Sequence, residues 1–148
     1  FEPFKGEGSL FNLVETNTKY CTEIEEGKDV FDFQNKNEIT TIYTNPPFKA
    51  NIPNKKGEKV YKNSVFFFFD YFVSMYPKLN TIVFLINANL FNALTLYRLA
   101  KLAKQGFTIS AITFLNTNYW YNGYYFVVFK KDNNSLAKIN IIEKTFTK

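Results

Sequence analysis

The chain has 148 residues, enough for one domain of ordinary size and too few for a second sizeable one. It is 46% hydrophobic, 20% aromatic and 21% charged, the make-up of a globular protein and not of a disordered tail. With no histidine and a single cysteine, Cys21, it excludes an intrachain disulfide, a Cys/His zinc site and any Ser-His-Asp or Cys-His pair within the chain. The net charge of +5 rests on seventeen lysines and one arginine, and suits a polyanionic partner. The abundance of Lys, Asn, Ile, Phe and Tyr is also what an AT-rich genome produces. The longest apolar runs, Val65–Phe69 and Ile82–Ile86, fall far short of the ~18 residues of a membrane helix, so no membrane association is expected. No signal pattern opens the chain, and an intracellular setting is the expectation. Phe1 is not a methionine, and the body of a first strand is expected to precede it.

The elements follow in order. Lys5-Gly6-Glu7-Gly8 is a glycine-punctuated turn, and Ser9 is placed to cap a short helix carrying Leu10, Leu13 and Val14. Lys19–Ile24 reads as a short strand ending in the acids Glu23, Glu25 and Glu26. Glu38–Thr44 is β-branched and aromatic, a second strand stopped by Pro46-Pro47. Lys49–Asn63, polar and lysine-rich with Pro53 and Gly57, reads as a mobile loop. Ser64–Tyr76 is ambiguous: four consecutive phenylalanines favour a strand, while its length and the Val65, Phe68, Phe69, Phe72, Val73 face favour a buried helix ended by Pro77. Thr81–Asn87 is a continuous apolar run of the kind covered on both faces. Ala93–Gln105 is the clearest helix, with Leu96, Leu99, Ala100 and Ala103 on one side and Arg98, Lys101 and Lys104 mostly on the other, stopped by Gly106. Phe107–Leu115 and Tyr124–Lys130 form two strands joined as a hairpin through Asn116–Gly123. This alternation predicts an α/β fold in one domain, its sheet mostly parallel with an antiparallel edge.

The segment richest in chemistry is Thr44-Asn45-Pro46-Pro47-Phe48. Two prolines directly after a strand fix the backbone at the carboxyl edge of the sheet, where open α/β folds bind ligands. The Asn45 carboxamide oxygen and the Pro46 carbonyl are then two acceptors for both hydrogens of an NH2 group. Phe48 supplies a flat face for a planar ring. Gly6-x-Gly8 alone is weak evidence of a ligand, since Phe11 stands where a dinucleotide fingerprint has its third glycine.

Asn45-Pro46-Pro47-Phe48 resembles motif IV of the amino-group methyltransferases in the class I S-adenosylmethionine-dependent superfamily. Glu2-Pro3-Phe4-Lys5-Gly6-Glu7-Gly8 resembles motif I of the same family. The resemblance spans the chain and implies a Rossmann-like sheet with helices on both faces and an antiparallel C-terminal hairpin. It implies S-adenosylmethionine as cofactor, held around Glu2, Phe4, Gly6 and Gly8, with Glu23 on the ribose and Asp32-Phe33 at the adenine. It further implies methyl transfer to an exocyclic amine, carried by Asn45, Pro46, Pro47 and Phe48, with no metal. Tyr119, Trp120 or Tyr121 would close the other face of the acceptor. The basic charge and Phe48 favour a nucleic-acid base, adenine N6 first, with DNA and RNA both open; the lysines 49, 55, 56, 59 and 62, against Glu58 alone, lie directly after Phe48. Two alternatives stand beside this reading: methylation of a protein glutamine amide, and a catalytically idle subunit that keeps the fold. No insert is long enough for a target-recognition domain, so a specificity or partner subunit is expected for sequence-specific modification.

Overall fold

The computed structural model describes residues 1–53, 59–88, 93–116, 123–131 and 141–145. They fall into two compact units, Phe1–Ile39 with Thr44–Leu79, and Thr40–Tyr43 with Asn80–Lys148. Among the described residues no helix is long and apolar enough to cross a membrane.

In the first unit Glu2 pairs in parallel with Cys21. The Glu2 N–H donates to the Tyr20 carbonyl, the Thr22 N–H to that of Glu2, and the Lys5 N–H to that of Thr22. The turn that follows leads into α1 (Ser9–Leu13), whose N-cap is Gly8 in the left-handed region (φ 86°). Ser9 is therefore the first helical residue and not the cap. The expected strand at Lys19–Ile24 shrinks to bridges at Cys21 and Glu23, because the chain winds into a 3-10 turn at Ile24–Glu26. Glu23 accepts from the Glu25 N–H and Gly27 closes that turn in the left-handed region, a local solution that outcompetes pairing. Two further 3-10 turns, Val30–Asp32 and Lys36–Glu38, delay β1 to Thr41–Thr44.

The segment expected as a loop is a hairpin. β2 (Lys49–Pro53) and β3 (Lys59–Asn63) pair antiparallel, from Lys49 opposite Asn63 to Pro53 opposite Lys59. Residues 54–58, with Lys55, Lys56 and Glu58, lie outside the described residues. The phenylalanine run resolves as a helix, α2 (Val65–Met75), which buries Val65, Phe66, Phe68, Phe69 and Phe72. Helical spacing puts Val65, Phe68, Phe69 and Phe72 on one stripe, and burying each contributes roughly 1.5–3 kcal/mol. That burial outweighs the modest β preference of phenylalanine.

The second unit holds a five-stranded sheet in the order β1-β4-β6-β5-β7. Its further strands are β4 (Thr81–Asn87), β5 (Phe107–Asn116), β6 (Tyr124–Lys131) and β7 (Ile141–Thr145). β6 runs antiparallel to both β4 and β5, and β7 is parallel to β5. Thus β4, β5 and β7 point one way and β6 the other, the mixed, mostly parallel α/β arrangement expected. The antiparallel strand is interior, not an edge, and β7 was not foreseen. Inward positions alternate along β4 as Ile82, Phe84 and Ile86, and Phe84 meets Phe129 of β6 with ring centroids 6.0 Å apart. Gly123 precedes β6, and any Cβ there would run into the Phe114 ring.

α3 (Leu96–Lys104) begins three residues later than expected, at an N-cap where the Thr95 hydroxyl accepts from the Arg98 N–H at 3.3 Å. The spacing left open which of its sides is buried. Leu102 is its one buried residue, and Leu96 is 86% exposed.

Candidate active site

The glycine turn and Glu23 come together in the first unit. The Gly6 N–H donates to one Glu23 carboxylate oxygen at 2.5 Å, and the Glu25 N–H reaches the other at 3.4 Å. The parallel Glu2–Cys21 pairing produces this meeting, carrying the turn alongside residues 20–22. The Thr22 hydroxyl locks the two strands by donating to the Pro3 carbonyl at 2.7 Å. An ion pair from Lys5 to Glu26 ties the same turn to the acidic loop. Gly6 has φ 53° and nothing within 4 Å of where a Cβ would stand, so its backbone can be approached closely. Ile24, 71% exposed, follows Glu23 directly.

Glu2 is buried, and its Oε2 has no hydrogen-bond partner. Burial pushes its carboxyl up from 4.5 to about 7, against the pull of the Phe1 ammonium, the Phe11 N–H and Lys5. The other predicted cofactor residues are placed differently. Phe4 packs on α2, edge-on to Phe68 at 4.6 Å and tilted to Phe72 at 6.3 Å. Phe33 stacks on Phe1 at 4.3 Å and meets Tyr20 and Tyr76. Asp32 is exposed, its carbonyl accepting from Gln34. Phe31, 42% exposed and packed against Phe67, Phe68 and Tyr71, presents more ring to solvent beside Asp32 than the half-buried Phe33 does.

Asn45 is exposed directly after β1, Pro46 is buried, and Pro47 and Phe48 are half-buried. Ser64 holds the segment. Its hydroxyl donates to the Pro47 carbonyl and its N–H to the Phe48 carbonyl at 3.0 Å, so the segment is pinned to the start of α2. Ser64 is fully buried. The sequence marked it only as a helix start, and its side chain does no capping there. Among the described residues no hydrogen bond, ion pair or ring contact joins Asn45–Phe48 to the Gly6–Glu23 cluster. Tyr119, Trp120 and Tyr121 lie outside the described residues.

No family model and no curated protein sequence matches the chain. Solved structures do. The fold is similar to that of a candidate class I S-adenosylmethionine-dependent methyltransferase from Listeria monocytogenes, with a TM-score of 0.57 and 14% identity over 80% of this chain and 40% of that one. A variant of Spodoptera frugiperda DNMT2 gives a TM-score of 0.46 and 17% identity over 72% of this chain and 35% of that one. The chain spans about two-fifths of the Listeria protein it matches. What the likeness establishes is the fold: a Rossmann-like α/β architecture.

Proposed function

We propose that the chain transfers a methyl group from S-adenosylmethionine to the exocyclic amino group of a nucleic-acid base, adenine N6 in the first instance. The observation that carries the reading is the 2.5 Å contact between the Gly6 N–H and the Glu23 carboxylate. It joins the two motifs that the resemblance assigns to one cofactor. The residues fit such a group: an open glycine backbone, a carboxylate at the rim to accept from ribose hydroxyls, and an exposed Ile24 to lie against a purine. S-adenosylmethionine, when bound, supplies a methyl group on a cationic sulfur that departs as a neutral thioether.

On the acceptor side the chain's work is positioning, which lowers the barrier by fixing the reacting atoms in line. Asn45 and the Pro46 carbonyl accept the two amino hydrogens and stabilise positive charge as it develops on nitrogen. Ser64 holds that backbone in place through Pro47 and Phe48. Phe48 offers its face to the base, which must be single-stranded or flipped from its helix. No side chain has to remove a proton before attack, which suits a chain without histidine. The lysines 49, 59 and 62 in the hairpin just beyond Phe48, and the net charge of +5, favour a phosphate-bearing acceptor over a protein amide.

Calorimetry with S-adenosylmethionine and its demethylated product tests the cofactor half. Binding is expected, and Glu23→Ala should weaken it by about 1.5–3 kcal/mol, the range for hydrogen bonds to a charged group. Transfer of tritiated methyl to single-stranded DNA, RNA or protein tests the other half. Label in protein alone moves the assignment to a glutamine amide. Absence of both heat and label leaves the idle subunit.

A further inference from the structure

The antiparallel register sorts the residues of the β2–β3 hairpin onto two faces. Directly paired residues share a face, and neighbours along a strand alternate. Ala50, Ile52, Val60 and Lys62 therefore fall on one face, and Lys49, Asn51, Lys59 and Tyr61 on the other. That is the split of a hairpin with one face for packing and one polar face. The polar face has an order of its own. Lys49 stands in its first row, Asn51 and Tyr61 form the second, and Lys59 stands in the third. An aromatic residue thus occupies the middle row, with a cationic one in the row on either side, about 7 Å along the strands. The Ser64 N–H closes the base of the hairpin on the Phe48 carbonyl at 3.0 Å, so this face begins where the Asn45–Phe48 segment ends. Residues 49–63 carry five lysines against a single acid, Glu58.

We propose that the face of Lys49, Tyr61 and Lys59 carries the single-stranded nucleotides next to the acceptor base. One base stacks on Tyr61, and Lys49 and Lys59 hold the phosphates on either side of it. The proposal rests on the nucleic-acid reading of the acceptor segment and assigns the surface that binds the rest of the strand. Alternation of ring and cation is what a single strand demands, since its bases expose their faces and phosphates stand between them. A basic patch alone serves any polyanion; the aromatic residue between the cations selects one that carries bases. Asn51, paired with Tyr61, adds an amide able to donate or accept at a base edge. Lys62 adds charge to the hairpin but lies on the opposite face.

The test titrates the 148-residue chain with short fluorescent single strands of DNA and of RNA, by anisotropy, over a series of salt concentrations. Tyr61→Phe should bind as wild type does. Tyr61→Leu should bind more weakly by about fivefold or more, the lower bound for stacking one base. Lys49→Gln and Lys59→Gln should each lower the slope of log affinity against log salt by about 0.7, the value for one phosphate of a single strand. Lys62→Gln removes the same charge from the opposite face and should lower that slope by less than half as much. The lysine slopes decide the matter if Tyr61→Leu lowers the thermal melt. Equal affinity of Tyr61→Leu and wild type, equal slopes for Lys59→Gln and Lys62→Gln, or equal affinity for an abasic strand overturns this assignment alone. Failure of the wild type to bind any strand overturns it together with the nucleic-acid acceptor.

Discussion

Replacing Glu2 with Gln isolates one buried carboxyl. Its side chain is 4% exposed, and burial raises its pKa from 4.5 to about 7. The fold therefore binds this proton more tightly than the unfolded chain does. The resulting stabilisation is complete below pH 4.5 and is lost as pH rises through about 7. A gap of about 2.5 on the pH scale, at about 1.4 kcal/mol for each, sets a ceiling near 3.5 kcal/mol. Water drawn toward the ionised carboxylate would reduce this to roughly 1–3 kcal/mol. Glutamine keeps the shape and most of the hydrogen-bonding capacity but cannot ionise. Urea unfolding of both proteins at pH 5 and pH 8 reads the effect as a difference. The Phe1 ammonium, whose pKa burial lowers, is common to both proteins and cancels to first order. Wild type should lose about 1–3 kcal/mol relative to Glu2→Gln between the two pH values. Parallel pH profiles, or wild type gaining on the variant as pH rises, would refute the reasoning.

Gly8→Ala forces a side chain onto φ 86° and brings its Cβ to 3.3 Å from Asn12 Nδ2. It should cost about 1–2 kcal/mol, read as a lower urea midpoint. Ser64→Ala removes the hydroxyl donor to Pro47 and should cost about 1 kcal/mol of stability, measured in the same way. The Ser64 N–H still holds Phe48, so the fold should survive while turnover falls. Asn45→Ala should lower turnover ~10²–10³-fold with cofactor affinity within a factor of a few. Near wild-type turnover would remove Asn45 from its assigned role.

The readable parts of the sequence were those whose signal is local. Gly6 and Gly8 declare a turn by themselves and Pro46-Pro47 declares a strand end; Glu23 was named by the resemblance, as a ribose ligand, and the structure joins it to Gly6 across seventeen residues. The β2–β3 hairpin was hidden because its pairing is made by backbone groups, while lysine, asparagine and proline give the segment a loop's composition. β7 was hidden for a related reason: its partner is β5, far back in the chain, and its own five residues carry little pattern. Ser64 acts across seventeen residues on Pro47, a contact no spacing rule anticipates. α3 shows the limit of periodicity. The stripe was read correctly from spacing, but which face is buried is decided by packing, and Leu102 decided it against Leu96 and Leu99.

The interior place of β6 imposes an order on assembly. β4 and β5 never touch as neighbours; each bonds to β6, from Thr81 opposite Lys130 on one side to Leu115 opposite Tyr124 on the other. The β5–β6 pair joins neighbours in the chain, whereas β4 pairs with residues 37 to 49 positions downstream, a closure with a larger entropic cost. The hairpin is thus the seed on which β4 is laid and from whose far strand β7 extends. Gly123 leaves room for the Phe114 ring beside that hairpin, so any side chain there would have to displace a ring from the pair on which both outer strands are built.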